Sequence, residues 1–574
     1  MELRDSRRLT GPNVLWERPG AVIEVALEPA ETGAAVAAWR DAARRALDAV
    51  GWSAEEPRPR VFPGGASLAI SAPLDALYAA TEVNEWAFEA ARAILAGEPE
   101  PELAAAAERL RAAIAAESDP ALRALQSAAR ERGVGFFAGD GRVSVGMGRG
   151  SLCWRVGALP APEAVDWGRV HDVPVLLVTG TNGKTTSVRL LAAMARAAGR
   201  TPGVSSTDWI RVGDEEVEEG DWSGPGGARR VLRHPAVDLA LLETARGGML
   251  RRGLALERAD AALVTNVAAD HLGEWGVLDV EMLADAKFVV ARAARSLVLN
   301  ADDDRVRERG LRFEGPVTWF SLDPSSSFVR EHLGRGGEAC LLDGEALLHC
   351  SGARREPVAR VAEIPAALGG AARHNLANAL GALGSALALG LSPADAARGL
   401  AEFGTGPEEN PGRLNLFELG GLRALVDFAH NPHGYEALFE TAAALPARRR
   451  LVLLGQAGDR DDESIRELVR IAWRARPDRI LIKELGEHLR GRAEGEVPRL
   501  IESELRALGA PEERFAHAPS ELEAVRRALT WAEPGDLLLF LTHGDRGAVL
   551  ELLEQLRARA WGPGDPLPTP GGEP

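Results

Sequence analysis

Residues 175–186 read Val-Leu-Leu-Val-Thr-Gly-Thr-Asn-Gly-Lys-Thr-Thr. Four apolar residues suited to a buried β-strand run into a glycine turn, and a helical pattern of apolar side chains follows from Val188 to Met194. This order predicts a strand, a phosphate-binding loop and a helix, because loop N–H groups and the positive end of a helix can hold a polyphosphate. Lys184 would then reach the β- and γ-phosphates, and Thr185 would ligate Mg²⁺. The alternative is an ordinary glycine turn between a strand and a helix.

The loop is shorter than the common G-x-x-x-x-G-K-[ST] form. The first glycine of that form is missing: the loop runs from Gly180 through two residues to Gly183, and Thr179 stands directly before Gly180. We predict that the whole loop contacts the nucleotide: Gly180, Thr181, Asn182, Gly183, Lys184, Thr185 and Thr186.

Composition excludes some classes of partner. The chain has 574 residues and a formal net charge of −17, which argues against nucleic acid or an anionic membrane surface as the main partner. The sequence contains no apolar run of the ~20 residues that a membrane span needs, and its N-terminus has no apolar signal core. Only three cysteines are present, without metal-binding spacing, so we expect a cytoplasmic protein.

The length suits about three domains. We predict a small α+β domain at 1–165, ending in a Pro/Ala-rich linker at 158–165, and a second domain at 172–408. Strands and helices alternate in that second domain, which predicts a parallel sheet covered by helices on both faces. A third α/β unit is expected at 409–560, followed by a disordered Pro/Gly-rich tail at 561–574.

Two predicted strands end in polar residues beside the loop. The strand at 238–242 leads to Glu243, and the strand at 261–265 leads to Asn266 and then to His271. Carboxyl ends of parallel strands meet at one edge of a sheet, where a carboxylate and an imidazole can hold Mg²⁺ on ATP phosphates. The alternatives are a structural ion pair for Glu243 and a helix-cap role for His271. For Asp270 we prefer a cap of the following helix.

Two further positions lie near this edge. Lys287 falls on a predicted helix at 279–294, where the residues alone leave a solvated face and a functional role equally open. Asn300 follows a strand and opens the segment Asn-Ala-Asp-Asp, for which an Asx turn is the alternative to nucleotide contact.

Later segments supply candidate contacts from outside the central domain. His374 and Asn375 start a helix, and Arg413 opens the third unit. Asp427 and His430 follow a strand in that unit. A cation such as Arg413, arriving on domain closure, would stabilise charge on the transferring γ-phosphoryl group. A surface arginine is the alternative.

In order and spacing, these motifs resemble the Mur ligase superfamily over roughly residues 172–555. Within it, the chain is most similar to the C-terminal half of cyanophycin synthetases. The run at 242–254, Leu-Glu-Thr-Ala-Arg-Gly-Gly-Met-Leu-Arg-Arg-Gly-Leu, and the run at 269–273 carry that finer match. The N-terminal residues 9–16 and 146–150 also resemble that family, but the ATP-grasp domain expected between the two parts is absent.

The resemblance implies a fold of three parts: a small α+β N-terminal domain, a central P-loop parallel-sheet Mur ligase domain and a C-terminal Rossmann-like α/β domain. It implies an ATP- and Mg²⁺-dependent amide ligase that activates a carboxylate as an acyl phosphate. Thr185, Glu243 and His271 would serve the metals, with Lys287 carbamylated as in many relatives, while Asp427 and His430 would border the amine. Arginine or lysine would be joined to an aspartyl-containing acceptor, and a homo-oligomer is possible.

Other functions compete with this one. The chain can be a nucleotide-binding scaffold that has lost its chemistry, a poly-γ-glutamate synthase-like ligase, or a P-loop ATPase that does mechanical work. An acidic segment, Asp459 to Glu463, is either a guanidinium-binding patch or a solvated loop.

Overall fold

A computed structural model describes residues 1–568 of the chain. The chain divides into two compact units. The first comprises residues 1–343, 347–358 and 379–399, and the second comprises 344–346, 359–378 and the described residues from 400 onward. The predicted division into domains at 1–165, 172–408 and 409–560 stays a prediction.

The N-terminal part of the first unit is built on an antiparallel sheet in the order β1-β2-β4-β3. Its strands are β1 (Glu2–Leu9), β2 (Gly20–Ala26), β3 (Pro57–Phe62) and β4 (Gly65–Ser71). Four helices accompany it: α1 (Thr32–Ala49), α2 (Leu77–Ala96), α3 (Leu103–Glu117) and α4 (Pro120–Glu131). The pattern of Trp39 and the alanines of α1 buries one face of that helix in the core shared with α2 and the sheet.

A three-stranded antiparallel sheet ends this part, with β5 (Phe136–Gly139), β6 (Arg142–Val145) and β7 (Leu152–Arg155). The predicted linker packs against it rather than running free. Val165 is buried, and Leu159 contacts the same apolar cluster. Proline and alanine composition alone does not reveal such packing.

The central sheet has eleven strands in the order β11-β10-β9-β12-β8-β13-β14-β15-β16-β17-β18. They are β8 (Val175–Thr179), β9 (Pro202–Ser205), β10 (Trp209–Val212), β11 (Glu215–Glu219), β12 (Leu239–Glu243), β13 (Ala259–Val264), β14 (Ala294–Asn300), β15 (Val317–Ser321), β16 (Glu338–Asp343), β17 (Ala346–Ser351) and β18 (Arg354–Arg360). The strands from β9 to β16 in that order pair in parallel, as predicted. β10 and β11 add an antiparallel edge, so the sheet is mixed.

Helices fill the connections of this sheet. They are α5 (Lys184–Ala197), α6 (Pro225–Leu232), α7 (Arg246–Arg252), α8 (Val280–Lys287), α9 (Asp304–Gly310) and α10 (Ser327–Gly334). Two more helices, α11 (Arg373–Ala388) and α12 (Pro393–Glu402), follow the last strand of the sheet. Every residue of β8 and β12 is buried, which explains their continuous apolar sequences. The predicted helix at 279–294 is shorter than expected, because α8 ends at Lys287 and a 3₁₀ turn continues to Arg292.

The second unit contains a six-stranded sheet in the order β19-β20-β24-β21-β22-β23. Its strands are β19 (Asn415–Leu419), β20 (Leu422–Asp427), β21 (Arg450–Leu454), β22 (Arg479–Lys483), β23 (Phe515–Ala518) and β24 (Leu537–Leu541). Only β19 and β20 pair antiparallel among them. The helices are α13 (Pro432–Ala444), α14 (Asp462–Arg474), α15 (Glu496–Ala507), α16 (Glu521–Trp531) and α17 (Arg546–Ala558).

The predicted fold class is therefore confirmed: a small α+β part, a P-loop sheet with a parallel centre and a Rossmann-like α/β unit. The predicted disordered tail at 561–574 is wrong for its described part, since Trp561 is 5% exposed in the core and Arg526 donates to the Pro568 carbonyl. Residues 569–574 lie outside the described residues. Among the helices in the described range, none combines the length and apolarity needed to cross a bilayer.

Candidate active site

The loop after β8 is shaped by its two glycines. Gly180 has a φ of +144°, and a Cβ there would lie 1.8 Å from Thr265 Oγ1. Gly183 has a φ of +85° and stands directly before α5. Only glycine combines that backbone conformation with so close an approach. The sequence therefore imposes the turn predicted for a phosphate-binding loop.

The end of β13 braces the loop from the adjacent strand. Asn182 N–H donates to Asn266 Oδ1 at 3.0 Å, and Thr181 N–H donates to the Asn266 carbonyl at 2.9 Å. Thr265 Oγ1 donates to the Asn182 carbonyl at 2.6 Å. Asn266, predicted to contact the nucleotide, thus fixes the loop that would do so.

Lys184 is the first residue of α5, and its ammonium folds over the loop. Nζ donates to the Gly180 carbonyl at 3.1 Å and the Thr181 carbonyl at 2.9 Å. A cation at a helix N-terminus is electrostatically unfavourable by itself, because the helix dipole is positive there. The combination favours an anionic ligand at this loop.

Glu243 ends β12, the strand on the other side of β8, and its side chain is 2% exposed. Thr185 Oγ1 donates to its Oε2 at 2.9 Å, and Thr207 Oγ1 donates to its Oε1 at 2.7 Å. Within the described residues this carboxylate makes no ion pair, so the predicted alternative of a structural ion pair is not what the structure shows. A buried carboxylate beside a P-loop hydroxyl is a donor set that suits Mg²⁺.

His271 lies in the loop after β13, and its side chain is half exposed. Its φ is +48°, and its carbonyl accepts from Arg246 Nη1 at 2.7 Å. The predicted capping role of Asp270 is wrong, because the next helix starts at Val280 and Asp279 caps it. Aspartate and histidine thus lie in a loop, and their Oδ1 and Nε2 atoms are 3.9 Å apart.

Lys287 is the last residue of α8 and is 4% exposed, which excludes the solvated helix face left open by the sequence. Its Nζ donates to the Gly180 carbonyl at 2.8 Å. Burial lowers the pKa of Lys287 well below its usual value, and the nearby Lys184 lowers it further, while Asp270 acts in the opposite direction. This amine therefore loses its proton more readily than an ordinary lysine does.

Asn300 stands at the end of β14. Its Nδ2 donates to the Thr265 carbonyl at 2.9 Å, and its Oδ1 accepts from the Asp302 N–H at 2.9 Å, which closes the Asx turn considered above. Asp303 accepts from the Val267 N–H at 2.7 Å and caps α9. This segment supports the strand ends around the loop, and a nucleotide contact by Asn300 stays a prediction.

In the second unit, two arginines and a histidine gather around the ring of Phe428, which directly follows β20. The guanidinium carbon of Arg413 lies 5.3 Å from the Phe428 ring centroid, and that of Arg546 lies 5.8 Å from it. The His430 ring is 5.1 Å from the same ring. Arg546 was missed by sequence reasoning, because it is 133 positions from Arg413 and no local motif marks it.

Asp427 lies beneath this cluster and accepts from Leu414 N–H at 2.8 Å and Ala429 N–H at 2.7 Å. Burial raises its pKa, although these hydrogen bonds and the positive charge of Arg413 oppose the shift. His430 Nδ1 lies 3.0 Å from the Phe428 carbonyl. The predicted residues Arg413, Asp427 and His430 are thus brought together.

His374 and Asn375 begin α11. Asn375 Nδ2 donates to the Ala366 carbonyl at 2.9 Å, and its Oδ1 accepts from Asn378, so both ends of its amide have partners within the second unit. Burial lowers the pKa of His374 to about 4, and His433 lowers it further. Nucleotide contacts by these two residues stay predictions.

The acidic segment 459–463 is satisfied by this chain's own groups. Asp459 pairs with Arg490 at 2.5 Å, and Asp462 pairs with Arg492 at 2.8 Å. Asp461 caps α14 by accepting from the Ser464 N–H at 2.9 Å. These contacts do not support the guanidinium-binding patch that the sequence left open.

Comparisons with known proteins identify two family domains in the chain. Residues 178–386 match the Mur ligase middle domain, and residues 412–544 match the Mur ligase glutamate ligase domain. Cyanophycin synthetase from Trichormus variabilis is 38% identical over 372 residues, covering 64% of this chain and 41% of the relative. The chain therefore spans about two fifths of the length of the cyanophycin synthetases that it matches.

Other relatives are covered more fully. UDP-N-acetylmuramoyl-L-alanyl-D-glutamate–2,6-diaminopimelate ligase from Geobacter metallireducens is 30% identical over 412 residues, covering 67% of this chain and 77% of the relative. Among solved structures, a bifunctional folylpolyglutamate synthase/dihydrofolate synthase with Mn, AMPPNP and L-glutamate bound is 19% identical with a TM-score of 0.47, covering 67% of this chain and 89% of that chain. On the strength of the matched family domains and the Geobacter relative, the chain belongs to the Mur ligase family.

Proposed function

We propose that this chain is an ATP-dependent amide ligase. A substrate carboxylate attacks the γ-phosphorus of ATP and forms an acyl phosphate with release of ADP. The amine of an amino acid then attacks the acyl carbon, and phosphate leaves as the amide forms. The observation that carries the proposal is the buried Glu243 carboxylate, which bonds Thr185 of the phosphate loop and no cation among the described residues.

The first unit would hold the nucleotide. Loop N–H groups and Lys184 would bind the phosphates, and Asn266 and Asn300 are proposed as further nucleotide contacts. His374 and Asn375, which belong to the second unit, are also proposed as nucleotide contacts. Thr185, Glu243 and His271 would hold Mg²⁺, with Lys287 assisting as a carbamate. When bound, Mg²⁺ neutralises charge on the transferring phosphoryl group. The lowered pKa of Lys287 suits this role, because only a neutral amine reacts with CO₂.

The second unit would serve the phosphoryl group and the amine. Arg413 would contact the γ-phosphate, and His430 would border the amine. An incoming ammonium must lose a proton before it attacks, and a carboxylate with a raised pKa, such as Asp427, accepts a proton more readily than an ordinary one.

Similarity to cyanophycin synthetases suggests the substrates: arginine or lysine as the amine, and an aspartyl-containing molecule as the acid. We also propose the domain limits 1–165, 172–408 and 409–560, a cytoplasmic location and a possible homo-oligomer. One phosphate loop is seen in the described residues, and we accordingly expect one kind of bond to be made.

The test is phosphate release with ATP and Mg²⁺ against a panel of amino acids and aspartyl peptides. We expect release to require both an acid and an amine, and mass spectrometry of the product to identify them. The Lys184→Ala variant should fold normally and lose turnover. Release that never depends on both substrates contradicts the ligase, and nucleotide binding without release indicates a lapsed scaffold.

A further inference from the structure

The loop at 270–277, which carries His271, has an unusual backbone. His271 has a φ of +48° and Trp275 a φ of +47°, while Gly273 and Gly276 are also positive. A residue with a side chain costs on the order of 1 kcal/mol in this region, so surrounding contacts must hold the conformation. Within the loop, Gly273 N–H donates to the Val277 carbonyl at 2.8 Å.

One clamp comes from α7 of the central part. Arg246 Nη1 donates to the His271 carbonyl at 2.7 Å, and the guanidinium also pairs with Glu274 at 2.5 Å. The Arg246 side chain itself is 10% exposed, whereas its partner Glu274 is 56% exposed. These contacts fix the first half of the loop.

The second clamp comes from the N-terminal sheet. Arg60 on β3 donates from Nη1 to the Trp275 carbonyl at 3.2 Å and from Nη2 to the Gly276 carbonyl at 2.6 Å. Phe62, two residues further on, closes over Gly276, where a Cβ would lie 2.3 Å from the ring. One planar guanidinium thus binds two successive carbonyls of the loop, a geometry that a lysine cannot reproduce.

Strand β1 and the residues directly after it also hold the segment that follows Glu243. Thr10 N–H donates to the Arg252 carbonyl at 2.7 Å, and Leu254 N–H donates to the Pro12 carbonyl at 2.7 Å. Arg7 adds hydrogen bonds of 3.2 and 3.3 Å to the Leu250 carbonyl. The N-terminal sheet therefore fastens the chain downstream of both proposed metal ligands, Glu243 and His271.

We infer that Arg60 is a positioning residue of the nucleotide and metal site, and that the N-terminal sheet is a working part of that site. Arg60 is not among the residues that we propose as substrate or nucleotide contacts. It acts by holding the 270–277 loop, and through it His271, in one conformation. This inference rests on the proposed function for the role of His271 and goes beyond it by assigning a task to the N-terminal sheet.

Ordinary packing between two parts of one unit is the competing explanation, and the chain offers a matched control for it. Arg58 lies on the same strand, and it donates to the Leu15 carbonyl at 2.9 Å, with its guanidinium 5.2 Å from the Trp16 ring. Both partners belong to the N-terminal part. Arg58→Met therefore removes the same group from the same strand without releasing the loop.

The experiment compares full-length Arg60→Met, Arg60→Lys and Arg58→Met with the wild type. We expect Arg60→Met to raise the half-saturating Mg²⁺ concentration for phosphate release about tenfold, as loss of a group supporting a metal ligand does. Amide hydrogen exchange should quicken at 270–277 in that variant. Arg60→Lys should fall between it and the wild type, and Arg58→Met should match the wild type in both measurements.

Equal behaviour of Arg60→Met and Arg58→Met would overturn the inference, as would faster exchange without a change in Mg²⁺ dependence. If Arg60→Met does not fold, the pair Arg60→Lys and Arg58→Lys decides by the same criteria. If the wild type releases no phosphate with any substrate, the proposed function fails by itself. Titration with Mn²⁺ in the presence of ATP, followed by electron paramagnetic resonance, then still measures whether Arg60 supports the metal site.

Discussion

Two buried lysines, one in each unit, have opposite surroundings. Lys483 ends β22, where its Nζ bonds the Glu521 carboxylate and the Leu541 carbonyl and lies 3.4 Å from His543 Nδ1. Lys287 ends α8, where its Nζ donates to the Gly180 carbonyl at 2.8 Å and faces a second lysine, Lys184. Burial lowers the pKa of both lysines. At Lys483 a hydrogen-bonded carboxylate, Glu521, opposes the shift, whereas at Lys287 the charge of Lys184 adds to it and Asp270 opposes it through its charge alone.

The different surroundings indicate that Lys483 has a structural role and Lys287 a functional one. A buried cation that is paired with a carboxylate and hydrogen-bonded can be tolerated within a core, whereas one that faces a like charge works against folding. Lys483 and Glu521 therefore form an internal support of the second unit. Lys287 is held where it costs stability, which is what is expected of a residue kept for its chemistry.

The sharpest test of this contrast is Lys287→Met. We expect turnover to fall by about 10³-fold, equivalent to about 4 kcal/mol on the barrier, because a preorganised group at the phosphate site is lost. The midpoint temperature of thermal unfolding should be unchanged or slightly higher, because an apolar chain replaces a buried amine. Steady-state phosphate release and calorimetry measure the two effects. Normal turnover in this variant would show that Lys287 is merely structural.

Lys483→Met should have the converse effect. Removing the lysine leaves the Glu521 carboxylate buried without its cation, and such a change costs about 3 kcal/mol of stability. Glu521 also accepts from the N–H groups of His543 and Asp545 at 2.8 Å, so the matched control is the double variant Lys483→Met with Glu521→Gln, which keeps an acceptor.

Urea unfolding followed by circular dichroism measures both proteins. We expect the double variant to recover part of the lost stability and the single variant to retain turnover at low temperature, where it is still folded. A single variant as stable as the wild type would remove the contrast between the two lysines.

The sequence was informative where function depends on local spacing. The phosphate loop follows from the strand, glycine and lysine order at 175–186, and Glu243 follows from the end of a strand that had to lie beside it. The loop and Glu243 can each be predicted from a few consecutive residues, together with the rule that the ends of parallel strands meet at one edge of a sheet. This logic also predicted the parallel centre of the large sheet.

Other features depend on contacts distant in sequence. Lys287 could not be assigned from its helix, because its burial depends on the Gly180 loop, 107 positions away. The carbonyls bound by Arg60 are 215 and 216 positions from it. The prediction that Asp270 caps a helix was wrong, because a loop held by Arg246 lies where that helix was expected to start. Tertiary contacts thus decided what local pattern could not.

A third buried base, His374, tests with a smaller expected effect whether a buried basic group without a paired carboxylate lowers the stability of the fold. Burial and His433 lower the pKa of His374 to about 4, and no carboxylate opposes them. An unfolded histidine titrates near 6.5. Below that pH the unfolded chain takes up a proton that the folded chain refuses, so this contribution to stability is complete above pH 6.5 and is lost as the pH falls towards 4.

The residue as a whole keeps some solvent exposure although its Nδ1 is buried, so we expect a loss of about 1–2 kcal/mol between pH 7.5 and 4.5 rather than the full value of the shift. His374→Gln should reduce the pH dependence of the unfolding free energy by that amount in urea titrations. His517→Gln is the control, because that side chain is exposed in the same unit. An unaltered pH dependence in His374→Gln would mean that a buried base without a carboxylate partner carries no energetic penalty here, and the interpretation of Lys287 would lose its physical support.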